Sequence, residues 1–417
     1  MKFNKWTLGL AALGAVSLTS AARADEKQSA VQTALSNTTI SGSVSASAQV
    51  ALDPNAAAYR DSVVGSAGGP QTIPFQYGKQ DGFNLDVVRL TIAKPEDESP
   101  WASGYQVDLM FGPDAVGYNN SPGAANSDIA IKQAYVTLRT PVGNGIDWKI
   151  GVFDTVIGYE VTDAGNNPNY TRSYGYAVEP TEHTGILGTY KINDMFTVSA
   201  GVANTLSAGI NTRNVSNGGP SSDWKKTVMG SVAMTAPSSW GWAAGSQAYA
   251  GAVYGFNSGA HNDGDENGNV GFAAGDQLNI YAGLTLNTPC KALTVGAAFD
   301  YVQNLGGGLN DSSDNYSSHN DVYVIGLYGT YKVTDKLSLN ARGEYMHGES
   351  INAYTGKGSY SYSYGSDAYE LTGTVEYDLW ANVVSRVEIR WDHLSTPNDG
   401  KYNRSALGLY ANFIYKF

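Results

Sequence analysis

The C-terminal segment 405–417 alternates regularly between apolar and mixed side chains. Every second position is apolar, and the series ends in three aromatic residues: Leu407, Leu409, Ala411, Phe413, Tyr415 and Phe417. Successive side chains of a β-strand point to opposite faces, so the segment predicts a strand with one wholly apolar face. Such a strand fits either the edge of a soluble sheet or the wall of a membrane barrel, and the rest of the chain must distinguish them.

The same two-residue period recurs along the chain and predicts an all-β fold of about 16 strands, within a range of roughly 14–18. The range reflects residues 224–256, where small side chains give little contrast between the two faces. In that region we expect strands at Val228–Met234 and Trp242–Phe256.

The connections between the predicted strands alternate in length. Short turns such as Thr334–Asp335 alternate with long segments rich in Gly, Asn, Ser and Asp, such as 53–82 and 154–184. Regular alternation of this kind is typical of an up-and-down barrel with both chain ends on one side. We therefore predict a transmembrane antiparallel β-barrel with long extracellular loops and short periplasmic turns.

The N-terminal segment has the pattern of a secretory signal. Lys2 and Lys5 precede an apolar stretch at Leu8–Leu18, and Ala22–Ala24 has the small-x-small form of a cleavage site. We expect residues 1–24 to be a signal peptide, residues 25–38 to form a periplasmic stub, and residues 39–417 to form a single barrel.

Composition excludes several other classes of protein. Charged residues make up 15% of the chain, well below the roughly 25% of soluble domains. The net charge of −12 argues against a nucleic-acid partner, which would need a basic face. Cys290 is the single cysteine, so no intrachain disulfide can form. After the signal there is no apolar run of the roughly 18 residues that a membrane helix needs.

The apolar strand faces are expected to point outward to lipid. They end repeatedly in aromatic residues, which is typical of the girdles at the two membrane interfaces. These residues are Tyr105, Trp148, Tyr190, Tyr301, Tyr323, Tyr331, Tyr345, Tyr377, Trp391, Tyr415 and Phe417. By the same parity, Ile389 faces lipid and Glu388 faces water. The alternative is a soluble β-sandwich, β-helix or propeller with its apolar faces inside.

Two segments carry a family resemblance. The C-terminal strand is similar to that of bacterial outer-membrane barrels, in which the aromatic residues corresponding to Phe413, Tyr415 and Phe417 serve as an assembly signal. The region around the third long loop resembles the OmpL-like β-barrel porin-2 family in Gly158–Glu160, Asn167–Tyr174 and Glu179–Gly185. The resemblance implies an outer-membrane porin that passes small polar solutes or ions, with no enzymatic activity and no cofactor. The resemblance also implies that lipid surrounds the barrel, and it leaves open whether three copies form a homotrimer.

In general porins of sixteen strands, the loop after the fifth strand folds inward and narrows the barrel. Residues 154–184 also follow the fifth predicted strand, so the resemblance implies a constriction here. The candidate residues in this loop are Glu160, Asp163, Arg172, Glu179 and Glu182, where Arg172 is alternatively a structural pin. The candidate lumen-lining charges are Arg89, Asp108, Arg139, Lys149, Arg342, Glu344, Glu370, Glu376, Arg386, Glu388 and Arg390. Opposed charges would set a transverse field that filters solutes. Alternatively, the loop lies on the rim with its charges solvated.

Other functions receive less support from the sequence. A plugged barrel acting as an adhesin or structural protein is the main alternative. A barrel hydrolase could use His347 with Asp392 and His393, but no Gly-x-Ser-x-Gly motif accompanies them. Asp263, Asp265 and Asn267 match the first half of a calcium loop. Ala274 stands where its final acid belongs, so a hydrated acidic loop is the simpler interpretation.

Overall fold

A computed structural model describes most of the predicted strands. The described residues are 37–52, 79–97, 99–116, 127–206, 208–211, 225–256, 276–303, 321–348, 366–395 and 404–417, with short strand segments at 31–32, 262–264, 270–272, 309–310, 317–318, 354–355 and 358–359. The predicted signal peptide 1–24 and most of the predicted stub 25–38 lie outside these ranges.

One closed antiparallel barrel of 16 long strands makes up most of the described chain, and the two-residue strand Val31–Gln32 pairs with the start of the first of them. The strands are β1 (Thr39–Ala51), β2 (Gly82–Lys94), β3 (Ser103–Phe111), β4 (Ile129–Thr140), β5 (Ile146–Asp154), β6 (Glu182–Lys191), β7 (Phe196–Ala203), β8 (Thr227–Thr235), β9 (Gln247–Gly255), β10 (Gln277–Asn287), β11 (Leu293–Gln303), β12 (Val322–Lys332), β13 (Leu337–Gly348), β14 (Ser366–Tyr377), β15 (Val383–Ser395) and β16 (Arg404–Lys416). Each strand pairs with its sequence neighbours, as the up-and-down topology requires. The predicted fold class is confirmed.

The barrel closes where β1 pairs with β16, in a register that sets Val44 opposite Tyr415. At the end of this seam the backbones of Gly42 and Phe417 exchange two hydrogen bonds, of 2.9 and 3.0 Å. A Cβ atom at position 42 would collide with the carbonyl oxygen of Arg89 and with the Phe417 ring. Glycine is therefore required at this point of the seam.

The apolar strand faces point outward, as predicted. Ile389 exposes 46% of its surface whereas the adjacent Glu388 exposes 1%. The same contrast recurs around the barrel in exposed Val136, Ile150, Ile186, Val228, Ile280, Phe299, Leu327, Leu371, Val387 and Leu409. A belt of exposed large apolar side chains is the surface that a barrel presents to lipid, so the soluble alternatives do not fit.

The prediction for one strand is wrong at its start. The strand expected at Trp242–Phe256 begins only at Gln247, because Ser238–Ala243 forms a 3-10 helix in the turn between β8 and β9. Trp240 and Trp242 lie exposed in this turn instead of in a strand. Two short α-helices also occur, α1 (Pro113–Val116) and α2 (Tyr174–Val178). No helix in the described ranges is long and apolar enough to cross a membrane.

Candidate functional site

The third long loop, residues 155–181 between β5 and β6 and hereafter L3, folds into the barrel. Its local structure is fixed by its own side chains, since Ser173 caps α2 by accepting from the Tyr176 amide at 3.0 Å. Asp163 caps the 3-10 turn Ala164–Asn166 in the same way. Gly158 has a positive φ of 118°, and a Cβ there would overlap the Glu179 carboxylate. L3 is thus an ordered element and does not lie solvated on the rim.

A buried ion pair joins L3 to the opposite wall. Glu160 Oε1 accepts a hydrogen bond of 2.6 Å from Arg342 Nη1 on β13, and both side chains are 0% exposed. Arg342 also donates to both oxygens of Glu370 on β14, at 3.1 Å each. A charge buried in this way is tolerated only when it is paired and hydrogen-bonded, so the three groups depend on one another.

Two wall carboxylates satisfy backbone amides of L3. Glu388 on β15 accepts from the amides of Tyr170 at 2.6 Å and Thr171 at 2.9 Å, and also from the Thr171 hydroxyl at 2.6 Å. Glu344 on β13 accepts from the Tyr174 amide at 2.7 Å. The expectation that Glu388 faces water is therefore corrected, since it faces inward but contacts L3.

Two wall arginines satisfy backbone carbonyls of the same loop. Arg386 donates to the carbonyls of Ala164 at 2.7 Å and Asn167 at 2.6 Å, and pairs with Glu376 at 2.7 Å. Arg390 donates to the Arg172 carbonyl at 2.6 Å and pairs with Asp392. Buried backbone groups outside regular secondary structure need such partners. The inner face of β13–β15 thus acts as a hydrogen-bonding template for L3, hereafter the anchor wall.

The first part of L3 packs against an apolar part of the barrel interior. The Tyr159 ring stacks on Tyr328 with centroids 4.0 Å apart, and its hydroxyl lies 3.0 Å from the Thr285 hydroxyl. Tyr249 donates to the carbonyl of Val156 at 2.6 Å. The surrounding buried cluster includes Phe153, Ile157, Leu187, Leu206, Met229, Val253, Tyr281 and Ala298. The side chains on this side of the interior are shielded from solvent.

Three loops meet at Lys79, which the sequence did not indicate as a candidate residue. Lys79, which precedes β2, lies 2.8 Å from Asp114 in α1 and 3.1 Å from Asp86 on β2, and it contacts the Tyr170 hydroxyl of L3 at 3.2 Å. Burial opposes the charge of Lys79, but these neighbours outweigh it and raise its pKa well above the usual value. Burial raises the pKa of Asp114 to about 6 despite the lysine.

The inner face of β2–β5 carries a second group of charges. Arg89 pairs with Asp108 and lies 3.3 Å from Asp163 of L3. Burial alone would raise the pKa of Asp163, but the cations of Arg89 and Lys416 hold it below its usual value. Lys132 pairs with Asp154, and Arg139 lies 3.2 Å from Asp147 near the short-turn end.

The remaining candidates in L3 and at the start of β6 are also buried. Arg172 donates to the carbonyls of Tyr170 and Thr162, as a structural pin would. Glu179 ends α2, and Glu182 begins β6 with its side chain fully buried. At the C-terminus, Phe413 and Tyr415 are 48% and 49% exposed on the outer face.

The residues considered for a hydrolase do not come together. Asp392 faces inward and accepts from Tyr174 at 2.8 Å, whereas His393 stacks on Trp391 on the outer face. His347 lies 2.7 Å from Asp367. Of the calcium candidates, Asp265 and Asn267 lie outside the described residues, and only the strand assignment of Asp263 is known. The described residues contain no group of three or more His, Cys, Asp or Glu side chains placed to hold a metal ion.

A closed barrel of 16 strands with its third loop inside is the architecture of an outer-membrane porin. The model of the β-barrel porin-2, OmpL-like family matches residues 37–417, and the chain belongs to this family. The protein is therefore a porin, a channel of the outer-membrane β-barrel class. No curated protein sequence gives a significant match.

Solved structures of outer-membrane channels share the fold. Vibrio cholerae OmpT in a trimer form has a TM-score of 0.55 at 16% identity, covering 91% of this chain and 99% of that chain. The channel DcaP of Acinetobacter baumannii has a TM-score of 0.57 at 12% identity, covering 93% and 99%. An anion-selective porin from Comamonas acidovorans has a TM-score of 0.55 at 12% identity, covering 91% and 99%. At these identities the similarity establishes the fold alone.

Proposed function

We propose that this porin passes small hydrophilic solutes and ions by passive diffusion across the outer membrane, and that L3 is its constriction. The observation that carries the proposal is the set of bonds between L3 and the anchor wall, above all Glu160–Arg342 and the two amide bonds to Glu388. They hold the loop across the interior, where it reduces the cross-section without blocking it. The transport needs no catalytic step and no cofactor.

The proposal extends to export and assembly. Residues 1–24 direct export and are removed, residues 25–38 precede the barrel in the periplasm, and Phe413, Tyr415 and Phe417 serve as the assembly signal. A homotrimer is the proposed assembly, since OmpT is known in a trimer form. Chemical cross-linking of the protein in native membranes tests it, and a single band at the monomer mass would contradict it.

A plugged barrel with an adhesive or structural role is the second candidate. It is favoured by the burial of L3 along most of its length, including Tyr170, Tyr174 and Tyr176. If L3 and the loops that contact it filled the whole cross-section, no solute would pass.

Liposome swelling separates the two candidates. Purified protein is reconstituted into liposomes and challenged with neutral sugars of increasing size, with protein-free liposomes as the control. A diffusion channel with a constriction gives swelling that slows steeply as solute size increases. The absence of swelling with the smallest sugar would overturn the porin proposal in favour of the plugged barrel.

A further inference from the structure

The short helix α1 is packed inward, against β2, β3 and β4 and against L3. The side chain of Ala115 in this helix is 1% exposed and belongs to a buried cluster that includes Tyr176 of L3. The strands contribute three apolar members of the same cluster: Val87, Met110 and Ala130. The position of α1 therefore depends on its contacts with both the wall and the loop.

Two carboxylates share one ammonium group beside this helix. Lys79 Nζ lies 2.8 Å from Asp114 Oδ1 of α1 and 3.1 Å from Asp86 Oδ1 of β2. The three side chains are 2%, 9% and 1% exposed, respectively, so water contributes little to stabilising their charges. Two carboxylates that share a site repel each other, and one of them binds a proton more readily than an isolated carboxylate does.

The hydrogen bonds around the two carboxylates indicate which of them binds the proton. Asp86 accepts from four neutral donors: the hydroxyls of Ser45 at 2.8 Å, Ser47 at 2.6 Å and Tyr170 at 2.9 Å, and Asn412 Nδ2 at 3.2 Å. Asp114, within the described residues, has the shared ammonium as its close partner. Hydrogen bonds to a carboxylate favour its ionised form. The proton therefore binds Asp114 in preference to Asp86.

The other groups that face Asp114 leave this preference in place. From L3, the Tyr170 hydroxyl contacts Lys79 at 3.2 Å, and Arg172 attracts Asp114 less strongly than Lys79 does. Burial, together with repulsion by Asp86, raises the pKa of Asp114 to about 6 against the attraction of both cations. The pKa of Lys79 is raised well above its usual value, so the lysine stays charged while Asp114 titrates.

We propose that Asp114 and Lys79 form a proton-controlled latch, in which protonated Asp114 keeps α1 packed against L3 and the wall, and ionised Asp114 favours release of the helix into water. A carboxyl that binds a proton more tightly in the packed position than in water stabilises that position at low pH. With a pKa of about 6 when packed and the usual 3.8 in water, this stabilisation is fully present below about pH 4 and is lost as the pH rises to about 6.

Maleimide labelling of Ala115→Cys in a Cys290→Ser background tests the latch, because position 115 is buried while α1 is packed. The labelling rate of purified protein in detergent micelles is divided by that of the exposed Cys290 in the wild type at the same pH, which removes the pH dependence of thiol reactivity. This relative rate should rise about tenfold from about pH 5 to about pH 8, as the two pKa values require. Adding Asp114→Asn should keep the rate low at both pH values. Asp128→Asn removes an exposed carboxylate at the start of β4 and is the matched control, which should retain the rise.

Several results would overturn the latch. They are an equal relative rate at both pH values, no labelling at either, a rise that persists in Asp114→Asn, or a rise that disappears in Asp128→Asn. Migration of the unheated variants as folded barrels in a denaturing gel shows that they are folded.

Urea unfolding is a second measurement that needs no introduced cysteine. The urea midpoint of the wild type should fall relative to that of Asp114→Asn between about pH 5 and about pH 8, because only the wild type loses the proton from position 114. A constant difference between the two midpoints would also overturn the latch. Neither measurement depends on conduction, so a failure of the latch leaves the proposed diffusion intact.

Discussion

Glu388 shows, at the scale of one residue, how the barrel wall supplies hydrogen-bond partners to the backbone of a buried loop. A loop has no regular secondary structure to supply them. Its two oxygens accept from two L3 amides, a threonine hydroxyl of L3 and the Thr374 hydroxyl of β14. Bonds from donors to a buried carboxylate are short and strong. A residue that local alternation marks only as inward-facing is therefore a fixed point for L3.

Replacing Glu388 by Ala should destabilise the protein. The amides of Tyr170 and Thr171 would be left without acceptors inside the barrel, at a cost of about 3 kcal/mol. The free energy of unfolding in urea, measured after reconstitution, checks this. Glu388→Gln keeps one acceptor oxygen and should lose clearly less, so equal stability of the wild type and both variants would contradict the anchoring role.

At the scale of secondary-structure elements, the pairing of β1 with β16 is the contact that closes the barrel. It pairs the two ends of the barrel, and the fit of Phe417 over Gly42 leaves no room for a side chain. Gly329 on β12 makes a useful comparison, because a Cβ there would meet nothing within 4 Å.

Gly42→Val should prevent closure of the barrel. The valine side chain would collide with the Arg89 carbonyl and the Phe417 ring, while Gly329→Val projects into open space. The fraction of protein that migrates as a folded barrel without heating is the measurement. If Gly42→Val gave the same folded fraction as Gly329→Val, the seam would accommodate a side chain at position 42, and the prediction would be wrong.

The strands were largely predictable from sequence, whereas the contacts of the site were not. Period-two alternation places Ile389 and Glu388 on opposite faces without any tertiary information. The pattern fails at Trp242, where apolar residues in a 3-10 turn imitate the start of a strand. Glu160 and Arg342 are 182 residues apart, and local alternation cannot indicate that they pair. No local sequence pattern indicates the role of Lys79, because its partners lie in three separate elements.

At the scale of the whole molecule, the main feature is the belt of exposed apolar side chains on the outer face of the barrel. Its side chains remain partly exposed after the strands have paired, as expected of a surface that faces lipid. Burial of L3 inside and exposure of the belt outside are complementary: the polar inner face of the wall binds a loop, and the apolar outer face is of the kind that a barrel presents to lipid.

Ile389→Arg should cost roughly 2–4 kcal/mol in a bilayer, because it places a charge on the lipid face of β15. Ile389→Met keeps the face apolar and should change the stability little. Unfolding in urea from lipid vesicles compares the two. A similar free energy of unfolding for both variants would mean that position 389 does not face lipid.

Single-channel conductance of wild type and Glu388→Ala in the same bilayer tests the constriction most directly. Wild-type protein should give discrete conductance steps, and release of L3 from the anchor wall in Glu388→Ala should make the steps larger. Steps of the same size in a folded variant, or a wild-type protein without steps, would contradict the claim that an anchored L3 narrows this porin.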